Sequence, residues 1–280
     1  MRGQAPQIPR DLAATIPNLL SFRQHTRRKR EPNDPAAGNA RENPHVREYL
    51  GAQRVDLEVN NAAATVTEPV QVDIWSDVQC PWCYIGKRRF EAAVETSGIP
   101  VEIVYHSFEL APDTPVEYEG TPIQFLSERK GLPMPQVEEM LTRVTDIASS
   151  VGLDYDYEHI HQTNTVKAHE LLHFAKARGR QLEMKERLLD AYFIKTEHVG
   201  RIEDLADIAA SIGFDRAEVV RVLESSEYLP AVKADMEQAM QYGIQGVPFF
   251  VIDGKYGVSG AQESETFANV LTQVLTERDV

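Results

Sequence analysis

Apolar and polar positions alternate from Val70 to Trp75, which predicts a β-strand, and Ser76-Asp77-Val78-Gln79 then reads as a short loop. Pro81 follows at the place where a helix best accepts proline, its first turn. The helical period continues to about Thr96 and stops at Gly98, a residue suited to closing a helix. Val101 to Phe108 is a second predicted strand. The unit is strand, loop, helix, strand, which implies a parallel pair joined by a crossover helix.

From about Thr121 to Tyr242 the pattern is helical. Val137, Met140, Leu141, Val144, Ile147, Ala148 and Val151 form one apolar stripe. Further helices are predicted at about Thr165–Arg178, Leu182–Lys195, Glu203–Ile212, Arg216–Ser225 and Leu229–Gln241, punctuated by Gly179, Gly213 and Gly243. Asp215 with Glu218 suits a helix start. After Gly246 the period returns to β: Val247 to Ile252 is a strand, Asp253-Gly254 a hairpin turn and Lys255 to Val258 its partner. Phe267, Val270, Leu271, Val274 and Leu275 mark a last amphipathic helix. The order β-α-β, helical block, β-β-α is that of a thioredoxin core split by an all-helical insertion. It divides the chain into a first core part at 69–110, the insertion at 111–245 and a second core part at 246–280.

Residues 1–68 differ. Pro, Asn, Arg and Ala dominate, and only Val46 to Val59 suggests a short helix, so this stretch is expected to be a mostly disordered extension. An alternative start of translation near Val66 would be excluded by an intact mass that includes Met1. The charge is also uneven. The chain carries −14 overall, yet 1–68 hold ten basic and eight acidic residues, which leaves about −16 on 69–280. So acidic a folded part repels a phosphate backbone and argues against nucleic acid as partner. No apolar run approaches the roughly 20 residues that span a bilayer, and no signal-peptide core follows Arg27-Arg28-Lys29-Arg30. The expectation is a cytoplasmic protein without a membrane partner.

The chain has two cysteines, Cys80 and Cys83, in the sequence Cys-Pro-Trp-Cys at the loop–helix junction. A structural disulfide framework would use more cysteines at wider spacing, and a zinc site would need two further ligands. At a helix N-terminus, unpaired N–H groups and the macrodipole favour a thiolate on Cys80, and the thiolate is the attacking species. Cys83 lies one turn on, close enough to resolve a mixed disulfide at Cys80. Pro81 and Trp82 bias the redox balance of the pair. Pro248, opening a strand whose ladder it cannot join as a donor, reads as a cis-proline beside the cysteines that exposes the backbone of Val247.

Asp73-Ile74-Trp75-Ser76-Asp77 and Cys80-Pro81-Trp82-Cys83-Tyr84-Ile85-Gly86 resemble the DsbA-like thioredoxin superfamily, specifically its FrnE-like branch. Phe108-Glu109-Leu110, Asn164-Thr165 with Ala168-His169, Gly246 to Phe250 and Ser259-Gly260-Ala261-Gln262 extend the resemblance over about 69–280. It implies an α/β thioredoxin-like fold with a helical insertion that lids the cysteines. It also implies Cys80 as nucleophile, Cys83 as resolving thiol and Pro248 as cis-proline. The branch lies near 2-hydroxychromene-2-carboxylate isomerases and kappa-class glutathione transferases, which typically carry serine at the Cys80 position and use glutathione. Asn164, Thr165 and Val247 are where contacts to substrate or glutathione would fall. The second cysteine pair of some FrnE-like proteins is absent here.

His169-Glu170-Leu171-Leu172-His173 competes as H-E-x-x-H, the zinc-binding helix of metalloproteases. Against it, Lys176 stands where the extended motif has glycine, and Glu197 and His198 are unforced third ligands. The plainer expectation puts Ala168, Leu171, Leu172 and Ala175 in the core with both histidines at its margin. His106, on the second strand, is a candidate to support the thiolate; His159 and His161 read as loop residues, Arg88 and Arg89 as a solvated helix face, and Phe249-Phe250 as core. The leading expectation is a thiol–disulfide oxidoreductase or isomerase acting on protein or peptide disulfides, without cofactor or metal. A glutathione-dependent isomerase or transferase, a non-redox client-binding protein and a zinc hydrolase remain open alternatives.

Overall fold

The computed structural model describes residues 68–278. The expected extension at 1–68 and its helix over Val46–Val59 fall outside the described residues, Glu68 excepted. In order the elements are β1 (Val70–Ser76), α1 (Pro81–Ser97), β2 (Val101–Ser107), α2 (Pro122–Lys130), α3 (Met134–Ser150), α4 (Val166–Lys176) and α5 (Gln181–Phe193). There follow α6 (Ile202–Ala210), α7 (Arg216–Glu224), α8 (Leu229–Gln241), β3 (Phe249–Ile252), β4 (Tyr256–Ser259) and α9 (Ser264–Arg278). This is the α/β thioredoxin-like fold with a helical insertion.

The sheet runs β2-β1-β3-β4. β1 and β2 are parallel from Val70↔Val101 to Ser76↔Ser107, whereas β1–β3 and β3–β4 are antiparallel. α1 begins on Pro81 and closes on Gly98, whose φ of 67° is the left-handed conformation that a residue without a side chain adopts cheaply. β3 starts at Phe249, two residues later than the sequence pattern suggests. Pro248 has no N–H to give to the ladder, so the strand cannot begin before it. The apolar stretch at 122–150 is two helices, because Gly131, at φ 65°, ends α2 and Pro133 precedes α3.

Two of the three apolar clusters among the described residues make up most of the core. One lies in the helical insertion and includes Leu171, Phe174, Leu188, Phe193 and Leu205. The other joins the sheet to α9 and includes Ile74, Phe250, Phe267 and Leu271. α1 serves both: Tyr84 and Ile85 belong to the first cluster, Phe90, Ala93 and Val94 to the second. The cysteine helix is therefore the common wall of the two cores. Arg88 and Arg89 do not form the solvated face expected of them. Arg88 donates to Glu186 on α5 at 3.0 Å, Lys87 reaches the same carboxylate at 2.5 Å, and Arg89 donates to the Ala261 carbonyl at 2.7 Å. Against its burial, Arg88 and Lys87 hold Glu186 down to about 2.

Candidate active site

Cys80 is the N-cap of α1, with extended backbone at φ −88° and ψ 112°. The Cys83 N–H donates to the Cys80 carbonyl at 3.0 Å, the first turn of the helix. Both cysteines are free and about 3% exposed. The Val247–Pro248 peptide bond is cis. Val247 turns its carbonyl to Cys80, whose Sγ donates to it at 3.4 Å. Pro248 is itself fixed by Gly260 N–H on its carbonyl at 2.8 Å. A Cβ at Gly86 would stand 3.1 Å from Pro248 Cγ and 3.3 Å from Ala261 Cβ, so glycine is what lets α1 come this near.

The two thiols titrate as one unit. The hydrogen bond with Cys83 and then burial push Cys80 well up. Cys83 is lowered in spite of its burial, by the hydrogen bond with Cys80, the charge of Lys185, the Ser76 hydroxyl and the Asp77 N–H. The Cys80 Sγ is the sulfur directed at the Val247 carbonyl. Exposure divides the roles differently. A cavity of about 690 Å³ is lined by Cys80, Pro81, Trp82, Gly246 and Val247, but not by Cys83. Its other walls are mainly apolar, from Leu126 and Phe125 on α2 and Leu141, Val144 and Ile147 on α3, with Arg129, Lys130 and Arg143 among them. Trp82, 40% exposed, stands at this opening.

Beneath the cysteines lies a polar layer that sequence reasoning did not single out. The buried Asp77 carboxylate accepts from the Leu110 N–H at 2.8 Å and meets His169 Nε2 at 3.3 Å. Burial opposes its charge, yet His169, the Leu110 N–H and Lys185 together hold it below the usual carboxylate range. Tyr155 donates its hydroxyl to the Pro81 carbonyl at 2.8 Å, tying the loop before α4 to the first turn of α1. Gln162 donates to Gln79 at 2.6 Å and accepts from Tyr192 at 3.2 Å. Lys185 on α5 is fully buried, and its Nζ has no hydrogen-bond partner. A signal for it did exist: Gln181, Lys185, Leu188 and Tyr192 share one buried helix face. Tyr155 lies in a loop of no period, and nothing in the pattern marks it.

Other candidates are placed elsewhere. His106 is not a support for the thiolate. Its ring stacks on Trp75 with centroids 4.5 Å apart, Nε2 meets Asp73 at 2.7 Å and Nδ1 meets Asp235 at 2.9 Å. Asn164 and Thr165 do not line the cavity. Asn164 accepts from the Val166 N–H at 2.9 Å and donates to the Pro112 carbonyl at 3.0 Å, so it starts α4 and spends both ends of its amide doing so. Thr165 is 1% exposed and its hydroxyl is unpartnered. The two histidines of H-E-x-x-H are buried rather than marginal, and they serve different carboxylates. His169 meets Asp77, whereas His173 Nε2 meets Asp235 at 3.0 Å, and Glu170 pairs with Lys167 at 2.8 Å. Glu197 is held by Arg187 at 2.5 Å, and His198 Nδ1 accepts from Gly200 and Arg201. Among the described residues no cluster of His, Cys, Asp or Glu is placed to hold a metal ion, and no helix is long and apolar enough to cross a membrane.

The sequence is similar to that of a probable DsbA oxidoreductase from Streptomyces coelicolor, at 37% identity over 74% of this chain and 91% of that one, with a TM-score of 0.68. It is 27% identical to the uncharacterized protein YwbO of Bacillus subtilis over 205 residues, 72% of this chain and 96% of that protein. The cytosolic disulfide reductase DsbM of Pseudomonas aeruginosa shares the fold at 17% identity and a TM-score of 0.53, over 74% and 99% of the two chains. The family model of the DSBA-like thioredoxin domain matches residues 71–272, from the second residue of β1 into α9. The chain therefore belongs to the DsbA-like thioredoxin-domain family, a family of thiol–disulfide oxidoreductases.

Proposed function

We propose that the protein reduces, oxidises or isomerises protein disulfides through a mixed disulfide at Cys80 that Cys83 resolves. One observation carries this reading: Cys80 opens on the cavity beside the Val247 carbonyl, while Cys83, one helical turn in, does not line it. In the reductive direction, Cys80 gives up its proton and its sulfur attacks one sulfur of the client. The client S–S bond breaks and its electron pair leaves on the second client sulfur. Cys83 then loses its proton and attacks Cys80 Sγ, which releases the first client sulfur and forms the Cys80–Cys83 disulfide. The reverse sequence oxidises a dithiol client. The apolar walls and Trp82 suit a client chain with apolar side chains next to its cysteine, and the Val247 backbone suits its main chain.

Trapping tests the reading. In Cys83→Ala no resolving thiol remains, so adducts on Cys80 persist on a non-reducing gel and disappear with reductant. Protein adducts are the expected result. Glutathione as the sole adduct would transfer the reading to a glutathione-dependent isomerase or transferase, and a protein without adducts would return it to a non-redox client binder. The glutathione reading has less support here, because the polar ends of Asn164 are spent inside the fold.

A further inference from the structure

The cavity at Cys80 has the opposite charge to the rest of the chain. Acidic residues outnumber basic ones by 43 to 29, yet among the described residues its walls hold Arg129, Lys130 and Arg143 and no Asp or Glu. The last turn of α2 favours cations for its own sake, because the carbonyl end of a helix is negative. That accounts for Arg129, which also donates to the Leu110 carbonyl and to Asp113, both at 2.9 Å. It does not account for Arg143, which lies in the middle of α3. The Arg143 ion pair with Glu139 is 3.4 Å long and both side chains are 68% exposed, so water screens it. The Lys130 ammonium has no ion pair or hydrogen bond among the described residues. Helical spacing sets both cations beside apolar wall. Arg143 follows Met140 by three positions and precedes Ile147 by four, and Lys130 follows Leu126 by four. A carboxylate brought there would meet two cations without breaking any buried pair.

We propose that this cavity selects disulfide clients in which the reacting cysteine has both an apolar side chain and a carboxylate within a few residues. The apolar group rests on Leu126, Val144 and Ile147, and the carboxylate meets Lys130 and Arg143. The inference rests on the dithiol–disulfide reading above and names the substrate class of that same site. Glutathione has carboxylates but no apolar side chain, so it leaves the apolar wall wet. A basic client brings like charge to like. Attraction at such a rim acts chiefly on the rate of encounter and on its salt dependence.

The test uses the full-length protein with both cysteines reduced and a set of peptides, each closed by one disulfide. All carry leucine beside a cysteine, and they differ at the next position, which is glutamate, glutamine or lysine. As the peptide disulfide breaks, the Cys80–Cys83 bond forms and the two cysteine protons pass to the peptide sulfurs, so no outside reductant enters. Each rate is divided by the rate of the same peptide with dithiothreitol, which removes differences in intrinsic reactivity. The glutamate peptide is expected to react about tenfold or more faster than the lysine peptide at low salt. The formal charge of −14 on the whole chain favours lysine, so that order has to come from the local cations. Lys130→Glu combined with Arg143→Glu should reverse it, and Lys130→Gln with Arg143→Gln should level it. A wild-type preference below about threefold overturns the proposal, and so does a preference that survives in either folded double variant. In the wild type alone, a preference that persists at about 1 M salt, where screening acts beyond about 3 Å, also overturns it. Peptides that all react at one rate leave the dithiol reading standing. Peptides that are all inert toward the wild type and form no adduct with Cys83→Ala would sink that reading, and this inference with it.

Discussion

At the scale of residues, the fold holds its polar groups in pairs that cross between elements, and the pairs set a pH window. Asp235 on α8 accepts from the Ser107 N–H at 2.7 Å and meets both His106 and His173. Burial lowers His106, but Asp235 and Asp73 outweigh it and raise the imidazole above its ordinary 6.5. Burial raises Asp235, but His106, His173 and the Ser107 N–H outweigh it and put the carboxyl well below its ordinary 3.8. A histidine raised on folding stabilises fully below its unfolded value, and that contribution is lost as pH rises through its folded value. A carboxyl lowered on folding stabilises above its unfolded value, and that contribution is lost as pH falls through its folded one. The network therefore contributes most from about pH 4 to about pH 6.5. Asp235→Asn should cost about 1–3 kcal/mol by leaving buried donors poorly matched. Urea unfolding across pH checks this, and a loss that is the same at pH 5 and pH 8 would count against the ion pairs.

At the scale of elements, the cavity wall depends on a helix of nine residues. α2 is started by a capping box, in which the Thr121 hydroxyl accepts from the Gln124 N–H at 3.2 Å while the Gln124 side chain accepts from the Thr121 N–H at 2.8 Å. It presents Phe125, Leu126 and Arg129 to the cavity but buries little of itself in the core. So short a helix has small reserves, and its cap carries a large share of them. Thr121→Ala should weaken α2 by about 1 kcal/mol. Hydrogen exchange would then speed up over 122–130 and leave β1 and α1 unchanged. Uniform acceleration over the whole domain would show instead that α2 opens only with the core.

At the scale of the whole molecule, α1 is what makes the insertion and the sheet one cooperative body. Phe90 is fully buried against Phe250 at 5.0 Å and Phe267 at 5.2 Å, on the helix whose first turns, through Tyr84 and Ile85, serve the other core. Phe90→Ala should cost about 3–5 kcal/mol, and the insertion should melt with the sheet in a single transition. Calorimetry that resolved two transitions would refute the shared wall. The same bridge explains why the site is built where it is. Cys80 and Cys83 stand at the N-terminus of α1, between the Pro248 segment on one side and the Asp77 loop and Tyr155 on the other.

Much of this was legible in the chain alone. Alternation over Val70–Trp75, proline at the helix start, Gly98 at its end and the single Cys-Pro-Trp-Cys are local signals, and local backbone preference with hydrophobic period is enough to place a strand, a helix and a reactive pair. The resemblance to DsbA-like proteins rests on the same local words. What the tertiary structure alone decided is which groups meet across long separations. His106 reads as a neighbour of the cysteines on strand order, but its partner Asp235 comes from 129 positions away. The histidines of H-E-x-x-H sit one turn apart on α4, yet the loop after β1 supplies a carboxylate to one and α8 supplies another carboxylate to the other. Asn164 and Thr165 carry a family word that here begins a helix, and Lys185 lies fully enclosed once α5 is packed. A sequence pattern records which face of an element is apolar. Only the packing of α4, α5 and α8 onto β1 and β2 decides which buried charge each polar exception must answer, because that energy depends on the distance between elements and on the water excluded between them.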